Sequence, residues 1–114
     1  MKKIIVLGGS GYVGSTIICH FLEKKIKVIN LDNLIYGQNN KFSFSKNKNY
    51  EFIKYDLRNK KINSNILKNA DAIVILASLV GDPISNKYKK DTKSINITAT
   101  KKIIEKSIKH NLKK

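Results

Sequence analysis

Short apolar runs alternate along this chain with segments in which apolar residues recur at helical spacing. Four of the runs are rich in β-branched residues, as expected of strands buried in a parallel sheet. These predicted strands cover residues 2–7, 27–31, 50–55 and 71–76. The predicted helices cover residues 12–25, 62–68 and about 91–110. Residues 33–49 are rich in Asn, Ser and Lys and are interpreted as a long loop with room for a short helix over residues 36–40.

The order strand, helix, strand is complete by residue 32, the length of one βαβ unit. A right-handed crossover then makes the first two strands parallel neighbours. The fourth predicted strand is continuously apolar after Asp71, so both of its faces should be covered and we expect it in the middle of the sheet. The pattern predicts an α/β protein with a Rossmann-type, doubly wound parallel sheet of about four strands in three layers. The usual fold has two halves, so residues 1–114 are interpreted as its N-terminal, cofactor-binding half, with no second domain.

The composition is that of one globular domain with a packed core, at 114 residues with 41% apolar and 27% charged residues. No apolar stretch approaches the roughly 18 residues that cross a bilayer, and the first run meets glycine too early for a signal peptide, so we expect a cytoplasmic protein. Cys19 is the single cysteine, which excludes an internal disulfide. His20 and His110 are isolated and are expected at the surface, so no metal site is predicted.

The formal net charge of +15 raises the question of nucleic-acid binding. Of the 23 basic residues, 22 are lysines and only Arg58 is an arginine, the residue whose planar fork suits base and phosphate recognition. The lysines are spread along the chain in runs no longer than two. This distribution favours a solvated basic surface over a specific nucleic-acid site.

A glycine-rich segment follows the first predicted strand and opens the first predicted helix. It matches G-x-x-G-x-x-G through Gly8, Gly11 and Gly14, and G-x-G-x-x-G when Gly9 is taken as the first glycine. Glycine allows a tight turn, close approach of the backbone to a pyrophosphate and close packing of helix on strand. N–H groups of the first helical turn then hold phosphates without a charged side chain. A purely structural turn can also use two or three glycines, so the spacing alone does not distinguish a cofactor-binding turn from a structural one.

The residue that ends the second predicted strand strengthens the cofactor interpretation. Asp32 lies 18 positions after Gly14, close to where a carboxylate accepts the two hydroxyls of an adenosine ribose. The same carboxylate would repel a 2′-phosphate. The sequence therefore predicts NAD, rather than NADP, as the cofactor.

Several segments resemble the extended short-chain dehydrogenase/reductase family, specifically the NAD-dependent nucleotide-sugar epimerases and dehydratases. Residues 6–14 look like the opening of that family, and Asp32-Asn33-Leu34 with Gly37 looks like its ribose-binding turn. Asp56-Leu57-Arg58 is similar to the segment that contacts adenine, and residues 76–83 to the end of the fourth strand that passes under the cofactor. Ser78 replaces a more usual alanine, and Ile75 stands where a histidine is common.

The motif and the resemblance together imply a set of cofactor-binding residues. They are Gly8, Ser10, Gly11, Tyr12, Val13, Gly14, Asp32, Asn33, Asp56, Leu57, Leu76, Ala77, Ser78 and Asn96. Asn96 matches the asparagine of the fourth helix that supports the active site in this family. Two residues keep a second interpretation: Tyr12 can pack at the helix start instead of flanking the cofactor, and Asp82 is better explained as a loop or capping residue than as a catalytic acid.

No catalytic residue is predicted. In this family a Tyr-x-x-x-Lys pair after the fifth strand carries the reaction, with a Ser or Thr at the end of that strand. The literal match, Tyr50 with Lys54, lies on a predicted strand, where residues four apart are separated by about 13 Å, so we regard it as accidental. The chain alone is therefore expected to bind NAD without turning over a substrate, and a nucleotide sugar is expected only for a longer parent enzyme.

Two hypotheses follow. The first is that the chain is the NAD-binding N-terminal portion of a nucleotide-sugar epimerase or dehydratase. The alternative is a small non-enzymatic module that senses NAD or assembles with a partner, motivated by residues 72–77, which without a fifth strand would offer an apolar, unpaired edge that favours self-association.

Overall fold

A computed structural model describes residues 2–33, 44–56, 63–76 and 100–109. The strands within these ranges are β1 (Lys3–Leu7), β2 (Lys27–Asp32), β3 (Tyr50–Lys54) and β4 (Ala72–Ile75). The helices are α1 (Tyr12–Glu23), α2 (Ser64–Leu67) and α3 (Thr100–Lys109). Each element lies at a predicted segment and differs in its bounds by a few residues at most, except that α3 is described only over the last part of the helix predicted from about residue 91. The short helix predicted over residues 36–40 lies outside the described residues.

The four strands form one parallel sheet in the order β3-β2-β1-β4. Ile5 of β1 pairs in register with Ile29 of β2 on one side and with Ile73 of β4 on the other. β1 and β2 are thus parallel neighbours joined through α1, which confirms the predicted βαβ unit. The carboxyl ends of the strands meet at the same edge of the sheet, where the chain enters α1.

The position of β4 differs from the prediction. Within the described residues β4 is the outer strand, paired with β1, and not a central strand. The other part of the prediction is confirmed, because both faces of β4 are covered. Ile73 and Ile75 pack against one hydrophobic cluster, whereas Ala72 and Val74 belong to or pack against the other.

Two hydrophobic clusters cover opposite faces of the sheet and give the predicted three layers. Alternate residues of each strand enter different clusters, as the two-residue period of a strand requires. The cluster on the α1 side consists of Ile4, Val6, Ile18, Leu22, Val28 and Ala72. The cluster on the side of α2 and α3 consists of Ile5, Leu7, Ile29, Leu31, Leu67 and Ile103.

Strand β2 departs from this apolar pattern on the α1 side. Val28 there is apolar, but Asn30 and Asp32, which follow it at the strand period, are polar and buried, with exposed fractions of 0% and 9%. Burying a polar side chain costs free energy unless it is hydrogen-bonded. Asn30 and Asp32 therefore require hydrogen-bond partners from another segment at this part of the sheet. That segment is the turn between β1 and α1.

Among the helices of the described ranges, none has the length and apolar character needed to cross a membrane.

Candidate dinucleotide-binding site

The turn over residues 8–11 connects the end of β1 to the start of α1. Gly8 has φ of 80°, a left-handed conformation that strongly favours glycine. Its N–H donates to the carbonyl oxygen of Leu31 at 2.8 Å, so the turn starts while still attached to β2. The chain then reverses into the helix directly above the carboxyl ends of β1 and β2.

Close packing of α1 against the turn depends on Gly14. A Cβ atom built on Gly14 would lie 2.6 Å from the Cα of Gly9, closer than real Cβ contacts come. Because the neighbouring atoms are backbone, they could not yield as a flexible side chain does. Glycine at this position therefore lets the first turn of α1 lie against the glycine-rich turn.

Among the described residues, no side chain closes off the N-terminus of α1. Gly11 is the N-cap residue, with extended backbone angles and no side-chain capping bond, and the first helical turn contains no acidic residue. Within the part of the chain that the structure describes, a Cβ atom built on Gly11 would meet only the carbonyl oxygen of Gly8, at an ordinary 3.9 Å. No side chain of the helix start therefore competes for the N–H groups there, and the space before them is of the kind that holds a phosphate.

Asp32 lies beside this opening. Its Oδ2 accepts a hydrogen bond from the backbone N–H of Ser10 at 3.0 Å, so the carboxylate faces the turn. The acid at the end of β2 and the glycine-rich turn are thus in contact in the structure. The arrangement combines N–H donors of a helix start with an anionic acceptor on the neighbouring strand, the two groups that a pyrophosphate and a ribose require.

Asn30 was not among the predicted site residues, although it contacts the turn. Its Oδ1 accepts the N–H of Gly9 at 2.9 Å, and its Nδ2 donates to the Ser10 hydroxyl and to the Tyr50 hydroxyl, both at 3.0 Å. Ser10, predicted to bind the cofactor, is itself 1% exposed and holds the turn to β2 through its hydroxyl and its N–H. The signal in the sequence was a polar residue inside an apolar strand, two positions before Asp32 and so on the same face.

Other predicted site residues fall near the same edge of the sheet. Tyr12 and Val13, at the start of α1, are 94% and 62% exposed. Asn33 and Asp56 follow the ends of β2 and β3 and are partly buried. Leu76 follows β4, and its N–H donates to the Leu7 carbonyl oxygen at 2.8 Å. Leu57, Ala77, Ser78 and Asn96 lie outside the described residues.

The remaining candidates take ordinary positions. Cys19 and His20 are exposed on α1. Tyr50 and Lys54 both lie on β3, so their Tyr-x-x-x-Lys spacing does not make the helical pair that the resemblance would require. Within the ranges that the structure describes, no group of three His, Cys, Asp or Glu side chains could hold a metal ion. Arg58, Asp82 and His110 lie outside those ranges.

The environment of Tyr50 gives a pH prediction. Burial raises the pKa of its hydroxyl above the ordinary value of 10.0, the charge of Asp32 raises this pKa further, and the hydrogen bond with Asn30 lowers it. Because the folded-state pKa is raised, the folded protein binds this proton more tightly than the unfolded chain, so the stabilisation is complete below pH 10 and is lost as the pH rises through the folded-state pKa. Burial, with the charge of Asp56, likewise raises the pKa of Tyr55.

We therefore expect the free energy of unfolding, measured with urea, to fall as the pH rises above 10. Tyr50→Phe should make this fall shallower, and Tyr50→Phe combined with Tyr55→Phe should make it shallower still. An identical slope in the wild type and the double variant would contradict the environment described for the two hydroxyls.

Comparison with known proteins places this chain in a family. Residues 4–114 match the family model described as the NAD dependent epimerase/dehydratase family. The UDP-glucose 4-epimerase of Halalkalibacterium halodurans is 30% identical to this chain over 115 residues, which cover 97% of this chain and 32% of that protein. The chain spans about a third of the length of the curated relatives it matches.

Solved structures agree with the family match. The UDP-glucose 4-epimerase of Thermotoga maritima, solved with UDP-glucose, superposes with a TM-score of 0.83 at 28% identity over 97% of this chain and 35% of its own. The dTDP-glucose 4,6-dehydratase of Bacillus anthracis, solved with NAD, has a TM-score of 0.79 at 25% identity over 96% of this chain and 34% of its own. The protein therefore belongs to the NAD-dependent epimerase/dehydratase family and corresponds to its N-terminal portion.

Proposed function

We propose that this chain binds NAD at the turn between β1 and α1. The proposal rests on the N-terminus of α1, which no side chain of the described residues caps, and on the carboxylate of Asp32, which is hydrogen-bonded to the turn before this helix. The family match supports the identity of the cofactor.

The residues of the turn fit the parts of the cofactor. N–H groups over residues 11–14 bind the pyrophosphate, assisted by the positive end of the helix dipole. Gly11 leaves room for the phosphates, since a side chain there would project into the space before the helix. Asp32 accepts hydrogen bonds from the adenosine ribose, and its charge disfavours a 2′-phosphate. Asn33 and Asp56 extend the site toward ribose and adenine.

A calorimetric titration of the wild-type chain with NAD and with NADP tests the proposal. NAD should bind, and NADP should bind at least about tenfold more weakly because of its additional phosphate next to Asp32. No heat of binding with NAD, or equal affinity for the two cofactors, would contradict the assignment.

The role of the site in a whole enzyme follows from the length of the relatives. We propose that a longer protein containing this chain uses it to hold NAD for epimerase or dehydratase chemistry on a nucleotide sugar. When bound, NAD supplies the nicotinamide that takes up and returns a hydride. The residues of this chain bind and orient the cofactor, and none is assigned a catalytic step. A cytoplasmic location, the single domain over residues 1–114 and self-association through the β4 edge stay predictions.

A further inference from the structure

Asn30 makes contacts that the cofactor proposal does not use. Its side chain is fully buried on the α1 side of β2 and contacts three groups from two other segments. Two of these groups, the N–H of Gly9 and the hydroxyl of Ser10, belong to the phosphate-binding turn. The third is the hydroxyl of Tyr50 at the start of β3.

The hydrogen bonds of Asn30 determine the orientation of its amide. The N–H of Gly9 requires an acceptor, which fixes Oδ1 toward the turn. Both hydrogens of Nδ2 then have acceptors, in the hydroxyls of Ser10 and Tyr50. An apolar side chain would leave these buried groups unpaired, and an acidic one would lack the two donors. The amide is therefore matched to this position by its donors and its acceptor together.

Asn30 and Asp32 act on consecutive residues of the turn. Asn30 binds the N–H of Gly9 at 2.9 Å, and Asp32 binds the N–H of Ser10 at 3.0 Å. These two bonds hold the turn against β2 immediately before the N–H groups of residues 11–14 at the start of α1. Fixing a binding loop in its bound conformation reduces the ordering cost of binding.

We propose that Asn30 is a positioning residue for cofactor binding, which holds the turn ready for the pyrophosphate without contacting the cofactor. This inference rests on the proposed NAD site. The hydroxyl of Tyr50 supports the amide from the opposite side and, through the ring contact with Phe44 at a centroid distance of 5.3 Å, is itself held in place.

The test compares Asn30→Leu with Val28→Ala in the full 114-residue chain. Val28 is buried on the same face of β2, two residues earlier, and pairs in register with Ile4 of β1 rather than with the turn, so its variant controls for loss of stability alone. Affinity for NAD is measured by calorimetry at a temperature where each variant is folded. Amide hydrogen exchange at Gly9 and Ser10 is measured without cofactor, so that the turn is followed independently of binding.

Asn30→Leu should weaken NAD binding by about tenfold or more and accelerate exchange at Gly9 and Ser10, whereas Val28→Ala should leave affinity within about twofold. Tyr50→Phe, a milder change, should weaken binding by about threefold and decides the matter if Asn30→Leu does not fold. If Asn30→Leu binds NAD as tightly as the wild type, the role of Asn30 is overturned and the NAD site is unaffected. If Asn30→Leu is unfolded, the same affinity in Tyr50→Phe and the wild type has this meaning. Absence of wild-type binding overturns the NAD site and, with it, this role.

Discussion

Gly11→Val should reduce the affinity for NAD by at least about 100-fold and change the free energy of unfolding by less than about 1 kcal/mol. The two effects separate because of where the new side chain points. Among the described residues, a Cβ atom at Gly11 meets only the Gly8 carbonyl oxygen at 3.9 Å, and the backbone at this position is extended, a conformation that valine adopts readily. The added methyl groups occupy the space in which the pyrophosphate is proposed to lie. Calorimetric titration and urea unfolding measure the two quantities.

Gly14→Ala is the matched control, because it alters another glycine of the same motif but is expected to lower the stability of the protein. Its methyl group would lie 2.6 Å from the Cα of Gly9, so the protein should lose about 1–3 kcal/mol of stability by overpacking. If Gly11→Val binds NAD like the wild type, the space before α1 is not the phosphate site. If Gly11→Val is instead as destabilised as Gly14→Ala, the position is structural.

Substitution of Asp32 should alter the choice of cofactor as well as affinity. In Asp32→Asn a side-chain oxygen can still accept the N–H of Ser10, but the negative charge is removed. We expect NAD affinity to fall about tenfold and the preference for NAD over NADP to fall by at least the same factor, because the repulsion of the 2′-phosphate disappears. Parallel titrations with both cofactors measure the change.

Two further variants show whether the Asp32 carboxylate causes the changes in affinity and in cofactor preference. Asp32→Ala removes the acceptor and the charge together, so its affinity for NAD should lie below that of Asp32→Asn. Glu23→Gln removes an exposed carboxylate at the far end of α1 and should leave both affinities unchanged. A preference for NAD that survives in Asp32→Asn would show that this carboxylate does not select the cofactor.

The parts of the fold that were predictable are those set by local pattern. The β-branched runs and the glycines located β1, α1 and β2 to within two residues, because a parallel strand buried on both faces admits few polar side chains. Gly14 and Asp32 could be assigned from their spacing, since one βαβ unit fixes both distances along the chain.

The parts that escaped prediction depend on contacts between distant segments. Asn30 resembles an irregularity in an apolar strand until the turn over residues 8–11 and Tyr50 are brought against it. Ser10 was predicted to bind the cofactor from its place in the motif, and that motif gave no sign of the hydrogen bond between its hydroxyl and a residue 20 positions away. The apolar run of β4 was interpreted as a central strand, because sequence alone cannot distinguish a strand covered on both faces from one paired on both edges.

The most direct test of the proposed NAD site follows the backbone amides of the ¹⁵N-labelled chain by NMR during titration with NAD. Binding at this site should give saturable shifts concentrated at the amides of residues 11–14 and at Asp32, with small changes at the amino ends of the strands around Lys3 and Lys27. Shifts spread over the exposed lysines that disappear with added salt, or no shifts at the start of α1, would contradict it.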